Sequence, residues 1–381
     1  MELTASAPGK AFVTGEYGVV RGGPAVVVAT AERVSCHIET RPGEGWLNLR
    51  RGELGHRVPL SQERVDEIPG ELRFAVAALL VSARAAEIAG IDLTVETRSE
   101  LDAGRVKSGL GGSAAVTAAL IAGVHAIAGR RLDSPADLEA RVAEAIVAHR
   151  LAQGGGSAAD AVCATLGGMI RVEGLDDRDA PVTVGACVAR ARTSEAVWRP
   201  LRLPRGLALE LAATGEPAAS GPRIARFGHL LDRERAGGVS VAGRSASVAG
   251  AGPLAPGVLA TWCSAMRLAV DEFVAACAAD DAEALLRGVR TAGELLARLG
   301  AIAGIPILTA GLRRACRAGA GRAAVKPSGA GGGDCAIAAL REEDRDWLRS
   351  AWRAAGLRPI AVDSAAAGAR CAPAGVVHAR G

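Results

Sequence analysis

Short apolar runs come first along the chain and longer helical stripes follow, an order that predicts a mixed α+β fold. Residues 4–13 read as a short strand broken by Pro8-Gly9. Pro24 to Thr30 is a continuous apolar run and reads as a buried strand, with Val34 to Thr40 as the next. From Ile91 to Thr97 apolar and polar positions alternate, the pattern of a strand with one covered face. An apolar helix is then predicted from about Ser113 to Ala128. A second has explicit start signals: Ser134 as N-cap, Pro135 at the first helical position and Asp137 in the first turn. Its Leu138, Val142 and Ile146 share one face. Strands followed by helices favour α+β over a regular βαβ array.

In the second half, residues 235–257 are rich in Gly, Ser, Ala and Pro and read as a mobile connection. Helices dominate from about 258 to 319. The end reads as strand (Ala323 to Val325), glycine loop, strand (Cys335 to Leu340), helix (Arg341 to Ala355) and strand (Leu357 to Val362), which fits a ferredoxin-like layer. The length of 381 residues suggests two domains, 1–200 and 201–381, with the boundary near Pro200 to Pro204.

Composition narrows the picture. Five Trp, four Phe and one Tyr leave the cores to aliphatic side chains. The net charge of +4 is mild and the arginines are dispersed, so a small anionic ligand is expected and nucleic acid is not. The cysteines at 36, 163, 187, 263, 277, 316, 335 and 371 form no CxxC pair, which excludes zinc-ribbon and thioredoxin-type readings. Scattered thiols suit a reducing compartment. No signal peptide is visible, and no apolar run approaches the ~18 residues of a membrane span. A soluble cytoplasmic protein, monomer or homodimer, is expected.

Three glycine-rich segments carry the candidate chemistry: Pro8-Gly9-Lys10 with Gly15-Glu16-Tyr17, Gly109 to Ala115, and Lys326 to Cys335. Bare backbone in three places, with lysines alongside, suits several loops closing on one polyanion, most simply a nucleotide. The middle loop lies between a strand and a helix, where backbone N–H groups and the helix N-terminus attract phosphate. Gly104 and Gly109 have Walker spacing, but Leu110 stands where lysine is required. Gly109, Gly111 and Ala114 fit a dinucleotide pattern formally, yet Asp133 precedes a helix instead of ending a strand. Ser113 either caps its helix or ligates a magnesium ion. Lys10 and Lys107 each offer phosphate a point charge.

A fourth element, Gln153 to Asp160, places a carboxylate after small residues, either to orient or deprotonate an attacking oxygen or to cap the next helix. Ser157 can cap that helix or face the substrate. Asp334 is read as holding its own loop, and Cys335 as packing. No histidine pairs with a Ser or Cys in a hydrolase pattern, so covalent catalysis is not expected.

These segments, in this order, resemble the GHMP kinases over most of the chain. Within them, Gly329 to Cys335, the run His149, Ala152-Gln153-Gly154, Gly156-Ser157 and Asp160, and Thr214-Gly215-Glu216 through Ser220 are similar to the phosphomevalonate kinases. The resemblance implies an S5-like N-terminal domain and a ferredoxin-like C-terminal domain. It implies ATP and Mg2+ as cofactors and 5-phosphomevalonate as the small-molecule acceptor. It makes Lys10 and Asp160 the catalytic candidates and Ser113 the magnesium-linked residue. Lys107, Gly109, Leu110, Gly111, Gly112, Ser113 and Ala114 would hold ATP, and Lys10, Ser157, Ser220, Gly329, Ala330, Gly331 and Gly332 would face the acceptor. Two departures stand out. Gly112 replaces the first serine of the usual Gly-Leu-Gly-Ser-Ser. His149 stands where mevalonate kinases carry a magnesium-holding glutamate, which argues against a mevalonate kinase. Mevalonate kinase, another small-alcohol kinase and a non-catalytic sensor of the same fold are the alternatives.

Overall fold

A computed structural model describes residues 1–101, 109–176, 180–193, 197–236 and 256–373. Among these, strands β1 (Glu2–Thr14), β2 (Pro24–Pro42), β3 (Trp46–Arg51), β4 (Leu54–Pro59), β5 (Ile91–Ser99), β6 (Met169–Glu173) and β7 (Trp198–Leu201) belong to a first sheet. Strands β8 (Leu207–Ala213), β9 (Ala323–Ser328), β10 (Cys335–Arg341) and β11 (Arg358–Ile360) form a second, and β12 (Arg370–Pro373) returns to pair with β1. The first sheet runs β12-β1-β2-β5-β3-β4, with β6 and β7 attached beside β2. Its pairs are antiparallel except β3 with β5. The second runs β11-β8-β10-β9, all antiparallel, the strand order of the expected ferredoxin-like layer.

Pro8-Gly9 does not end the first strand. β1 continues through it, with register shifts between Pro8 and Lys10 and between Phe12 and Thr14. Proline lacks a ladder donor, and a Cβ on Gly9 would lie 2.8 Å from the Leu110 carbonyl. The irregularity absorbs both and directs the Lys10 N–H to that carbonyl at 2.8 Å. The two strands expected at 24–30 and 34–40 are one strand of 19 residues. Its first part pairs with β6 and the end of β1, its second with β5 and the start of β1.

Helices α1 (Gly70–Ala85), α2 (Gly112–Ile127), α3 (Pro135–Gln153), α4 (Ala159–Leu166) and α5 (Val184–Ala191) accompany the first sheet. Helices α6 (Ser220–Arg235), α7 (Val258–Ala278), α8 (Ala282–Ala303), α9 (Ala310–Ala318) and α10 (Arg345–Ala354) follow; α8, α9 and α10 pack on the second sheet, whereas α7 packs on α8 and on strands β1, β2 and β7 of the first. The central helix is α2, buried on nearly every side by β1, β2, α1, α3 and α4. Its small residues permit this: a Cβ on Gly123 would meet Ile38 at 2.3 Å. Ser134 caps α3 as predicted, accepting the Asp137 N–H at 3.1 Å. Buried His125 of α2 then fixes α3, with Nδ1 2.6 Å from Asp137 and Nε2 3.0 Å from Glu144. Most of the linker expected at 235–257 lies outside the described residues.

The sheets meet at the ends of β1 and β9. Ser328 Oγ accepts the Phe12 N–H at 2.9 Å and donates to the Phe12 carbonyl at 3.1 Å. Buried Lys326 pairs with buried Glu16 and donates to the Pro327 carbonyl at 2.7 Å. The Tyr17 hydroxyl donates to the Ala330 carbonyl at 2.7 Å.

Candidate active site

A cavity of about 750 Å³ is walled by the first sheet and its helices on one side and by α6 and the loop joining β9 to β10 on the other. Lys10, Gly109 to Ser113, Ser157, Asp160, Ser220, Gly329, Ala330 and Asp334 all line it. Residues more than 300 positions apart in sequence thus share one chamber.

The three glycine segments touch one another. Gly111 has φ +75°, and a Cβ there would sit 2.9 Å from Lys10 Cε. Gly109 has φ +68°, and its Cβ would lie 2.5 Å from Asp334 Oδ2. A side chain at either position meets both a backbone penalty and an occupied space. Gly111 is the N-cap of α2 and supplies no side-chain acceptor, so the first N–H groups of this helix are left for a ligand. Ser113 is therefore not the cap. It is the second residue of α2, with Oγ 3.4 Å from His149 Nε2.

The Lys10 ammonium lies 4.9 Å from the centre of the Phe12 ring and has no ion-pair partner among the described residues. Asp160 is the second residue of α4. Its Oδ1 accepts the Ala161 N–H at 3.0 Å, and its Oδ2 is 3.8 Å from His149 Nε2. Burial pushes the Asp160 carboxyl up, but the His149 ring, the Lys10 ammonium and the Ala161 N–H together hold it below the usual carboxylate range. For His149 burial is the largest influence and lowers it, against the raising effect of Asp160. Asp160 is thus an anion within the electrostatic reach of Lys10, which has no ion-pair partner among the described residues.

Asp334 organises the opposite wall. It adopts φ 45°, donates its N–H to the Glu216 carbonyl at 2.7 Å and accepts the Thr214 N–H at 2.8 Å. Its Oδ1 accepts the Ala218 N–H at 2.9 Å, so its side chain fastens the 214–220 segment instead of its own loop. Burial raises its carboxyl above the ordinary range, against the Ala218 N–H, Lys10 and Arg223.

Not every expected site residue reaches the cavity. Gly331 packs on Ile307, whose carbonyl its Cβ would meet at 2.6 Å, and Gly332 donates to that carbonyl at 2.7 Å under the Arg223 guanidinium. These two glycines shape the loop while Gly329 and Ala330 present it to the chamber. Ala114 is buried beneath its loop, and Lys107 lies outside the described residues. Ser157 lines the cavity, and its Oγ also accepts the Ala159 N–H at 3.4 Å.

Other residues of the site had no obvious motif. Arg150 donates to the Gly156 carbonyl at 2.6 Å and to the Asp176 carbonyl at 2.7 Å, which pins the loop ahead of Asp160. Phe74 of α1 lies 4.9 Å from the His149 ring and lines the same chamber. The stripe Leu72, Val76, Leu79, Leu80 and Ala83 marks α1 at helical spacing and was the available signal for it.

An open helix N-terminus, a lysine without an ion-pair partner among the described residues and an ionised aspartate share one chamber on a two-sheet α+β fold, an arrangement suited to phosphoryl transfer. Residues 73–168 match the model of the GHMP kinases N terminal domain. The chain belongs to the GHMP kinase family. It is 32% identical over 391 residues to the phosphomevalonate kinase of Streptomyces sp. (strain CL190), a match spanning 95% of this chain and 97% of that one. Its fold resembles the Lin0012 protein from Listeria innocua, with TM-score 0.79, 21% identity and coverage of 98% and 99%. It also resembles Streptococcus pneumoniae phosphomevalonate kinase in complex with phosphomevalonate and AMPPNP, with TM-score 0.71, 16% identity and coverage of 94% and 99%. No helix among the described residues is long and apolar enough to cross a membrane.

Proposed function

We propose that this kinase transfers the γ-phosphoryl group of ATP to the phosphate of 5-phosphomevalonate, forming 5-diphosphomevalonate and ADP. The observation that carries this reading is the Lys10 ammonium, unpaired among the described residues, in one chamber with the open N-terminus of α2 and ionised Asp160. The name and the 32% identity of the Streptomyces relative support the choice of acceptor.

An acceptor phosphate oxygen is already ionised near neutral pH and needs no strong base. It attacks the γ-phosphorus while the bond to the β–γ bridging oxygen breaks and ADP leaves. What the protein must supply is alignment and relief of charge repulsion between two phosphates. Lys10 lies where the donor and acceptor walls meet and answers the second need. Asp160 orients Lys10 and the acceptor. Ser157, Ser220, Gly329 and Ala330 are assigned to the acceptor, and the 109–113 loop with Lys107 to ATP. Ser113 Oγ and the Asp160 carboxylate are hard oxygen donors that fit a magnesium ion, which would neutralise phosphate charge. None of the eight cysteines forms a disulfide, which fits a cytoplasmic location.

The test is ADP release by the purified protein with mevalonate, phosphomevalonate and diphosphomevalonate offered in turn. Turnover with phosphomevalonate is expected. Turnover with mevalonate alone, or binding without ADP release, would overturn the reading. Asp160→Asn keeps the shape and removes the charge. It is expected to lower kcat by about tenfold or more, since misorientation alone carries such a factor, with the KM for ATP little changed. A rate near that of the unaltered enzyme would remove Asp160 from the mechanism.

A further inference from the structure

His149 joins the two working sides of the chamber. It stands on α3, and its Nε2 faces Ser113 Oγ at 3.4 Å and Asp160 Oδ2 at 3.8 Å. Ser113 opens the helix assigned to the donor phosphates, and Asp160 opens the helix beside the acceptor. The ring is 1% exposed and rests on Phe74.

The chemistry of the two neighbours fixes what the ring must offer. An ionised carboxylate only accepts hydrogen bonds. A serine hydroxyl can accept through one lone pair, keep the other for a ligand and still donate its own hydrogen. Only a hydrogen on Nε2 suits both at once. At 3.4 Å the Nε2–H bonds Ser113, whereas 3.8 Å is beyond hydrogen-bond range, so Asp160 is held by attraction to the N–H dipole.

We propose that His149 is a positioning residue, whose Nε2–H orients the Ser113 hydroxyl and holds the Asp160 carboxylate so that the donor and acceptor helices keep one mutual geometry. The proposal rests on the kinase reading above. It assigns to this position an N–H donor that acts through its two neighbours.

The variant His149→Phe keeps a ring against Phe74 and deletes the N–H. It is expected to lower kcat by about tenfold or more with both KM values within about twofold, the signature of a lost orienting contact. His149→Gln, whose amide reaches the same place, is expected to recover most of that loss. The loss should also shrink in a Ser113→Ala background, because the two groups act together. A full rate in His149→Phe, or an equal loss with and without the Ser113 hydroxyl, would overturn the proposal. Long-range 1H–15N NMR of the His149 imidazole in the unaltered protein decides the matter should His149→Phe fail to fold. A hydrogen on Nε2 supports the proposal, and one on Nδ1 sinks it. That spectrum requires no turnover, so a failed acceptor assay and a failed positioning role are distinguishable.

Discussion

Lys10→Met is expected to lower kcat at least about a hundredfold while leaving stability within about 0.5 kcal/mol. The two halves of this expectation have separate causes. The ammonium has no carboxylate partner among the described residues, so its removal orphans no buried charge. Methionine retains the stem that packs against Gly111. What disappears is the cation between two phosphate groups that repel each other most strongly as they approach. Electrostatic contacts aimed at such a site typically carry factors of this size. Steady-state ADP release together with thermal melting checks both halves. A near-normal rate would transfer the role to another cation, and a collapsed melting temperature would show Lys10 to be structural.

Lys326→Ala should do the reverse, lowering stability by about 3–5 kcal/mol through a buried charge left alone. Lys326 is 0% exposed and pairs with Glu16, which is 2% exposed. Burial pulls the Lys326 amine below its usual range, and Glu16 opposes that pull. Deleting the lysine strands the glutamate in a buried site. The pair also ties the Gly15-Glu16-Tyr17 segment of the first sheet to β9 of the second, so its loss loosens the junction beside the cavity. Denaturant unfolding followed by fluorescence gives the magnitude. Replacing both partners together, Glu16→Gln with Lys326→Met, is expected to recover a large part of the loss, since no unpaired charge then remains. Equal destabilisation of the single and double variants would show that the pair's charge is not what matters.

These two lysines look alike in the sequence, each beside a glycine-rich turn. Sequence context assigns a phosphate contact to Lys10 and no particular role to Lys326. The structure separates them, because Glu16 lies against Lys326 while Lys10 faces the chamber without a partner among the described residues. The same holds for the third glycine segment. The resemblance assigns all of residues 329–332 to the substrate, yet Gly331 and Gly332 are turned to Ile307 and Arg223. Glycine content reports that backbone approaches something closely. It does not report whether that something is a ligand or the protein itself.

Much of the fold was legible for reasons that are local. The cap at Ser134, the alternation of Ile91 to Thr97 and the closing pattern of strands and helix depend on neighbours a few residues away. The short hairpin β3–β4, the helix α1 and the closing strand β12 were less so. β12 in particular has its meaning only through pairing with β1, at the other end of the chain. The strand β1 was read as broken at Pro8-Gly9 because those residues disfavour a ladder, but a long partner strand and a shift of register carried it through.

By itself, then, the sequence determined the class of fold and the presence of several glycine-rich loops suited to approaching phosphate, and its resemblance to the GHMP kinases singled out Lys10, Ser113 and Asp160 as the candidates for phosphoryl transfer. Residue type and short-range spacing suffice for the loops, because turn geometry and helix ends are set by adjacent residues. The tertiary structure alone decided which of those groups share a chamber, which lysine is committed to an ion pair, and that His149 lies between Ser113 and Asp160. Such facts depend on contacts spanning tens to hundreds of residues, and on the burial that removes water from some charges and leaves others open to a ligand.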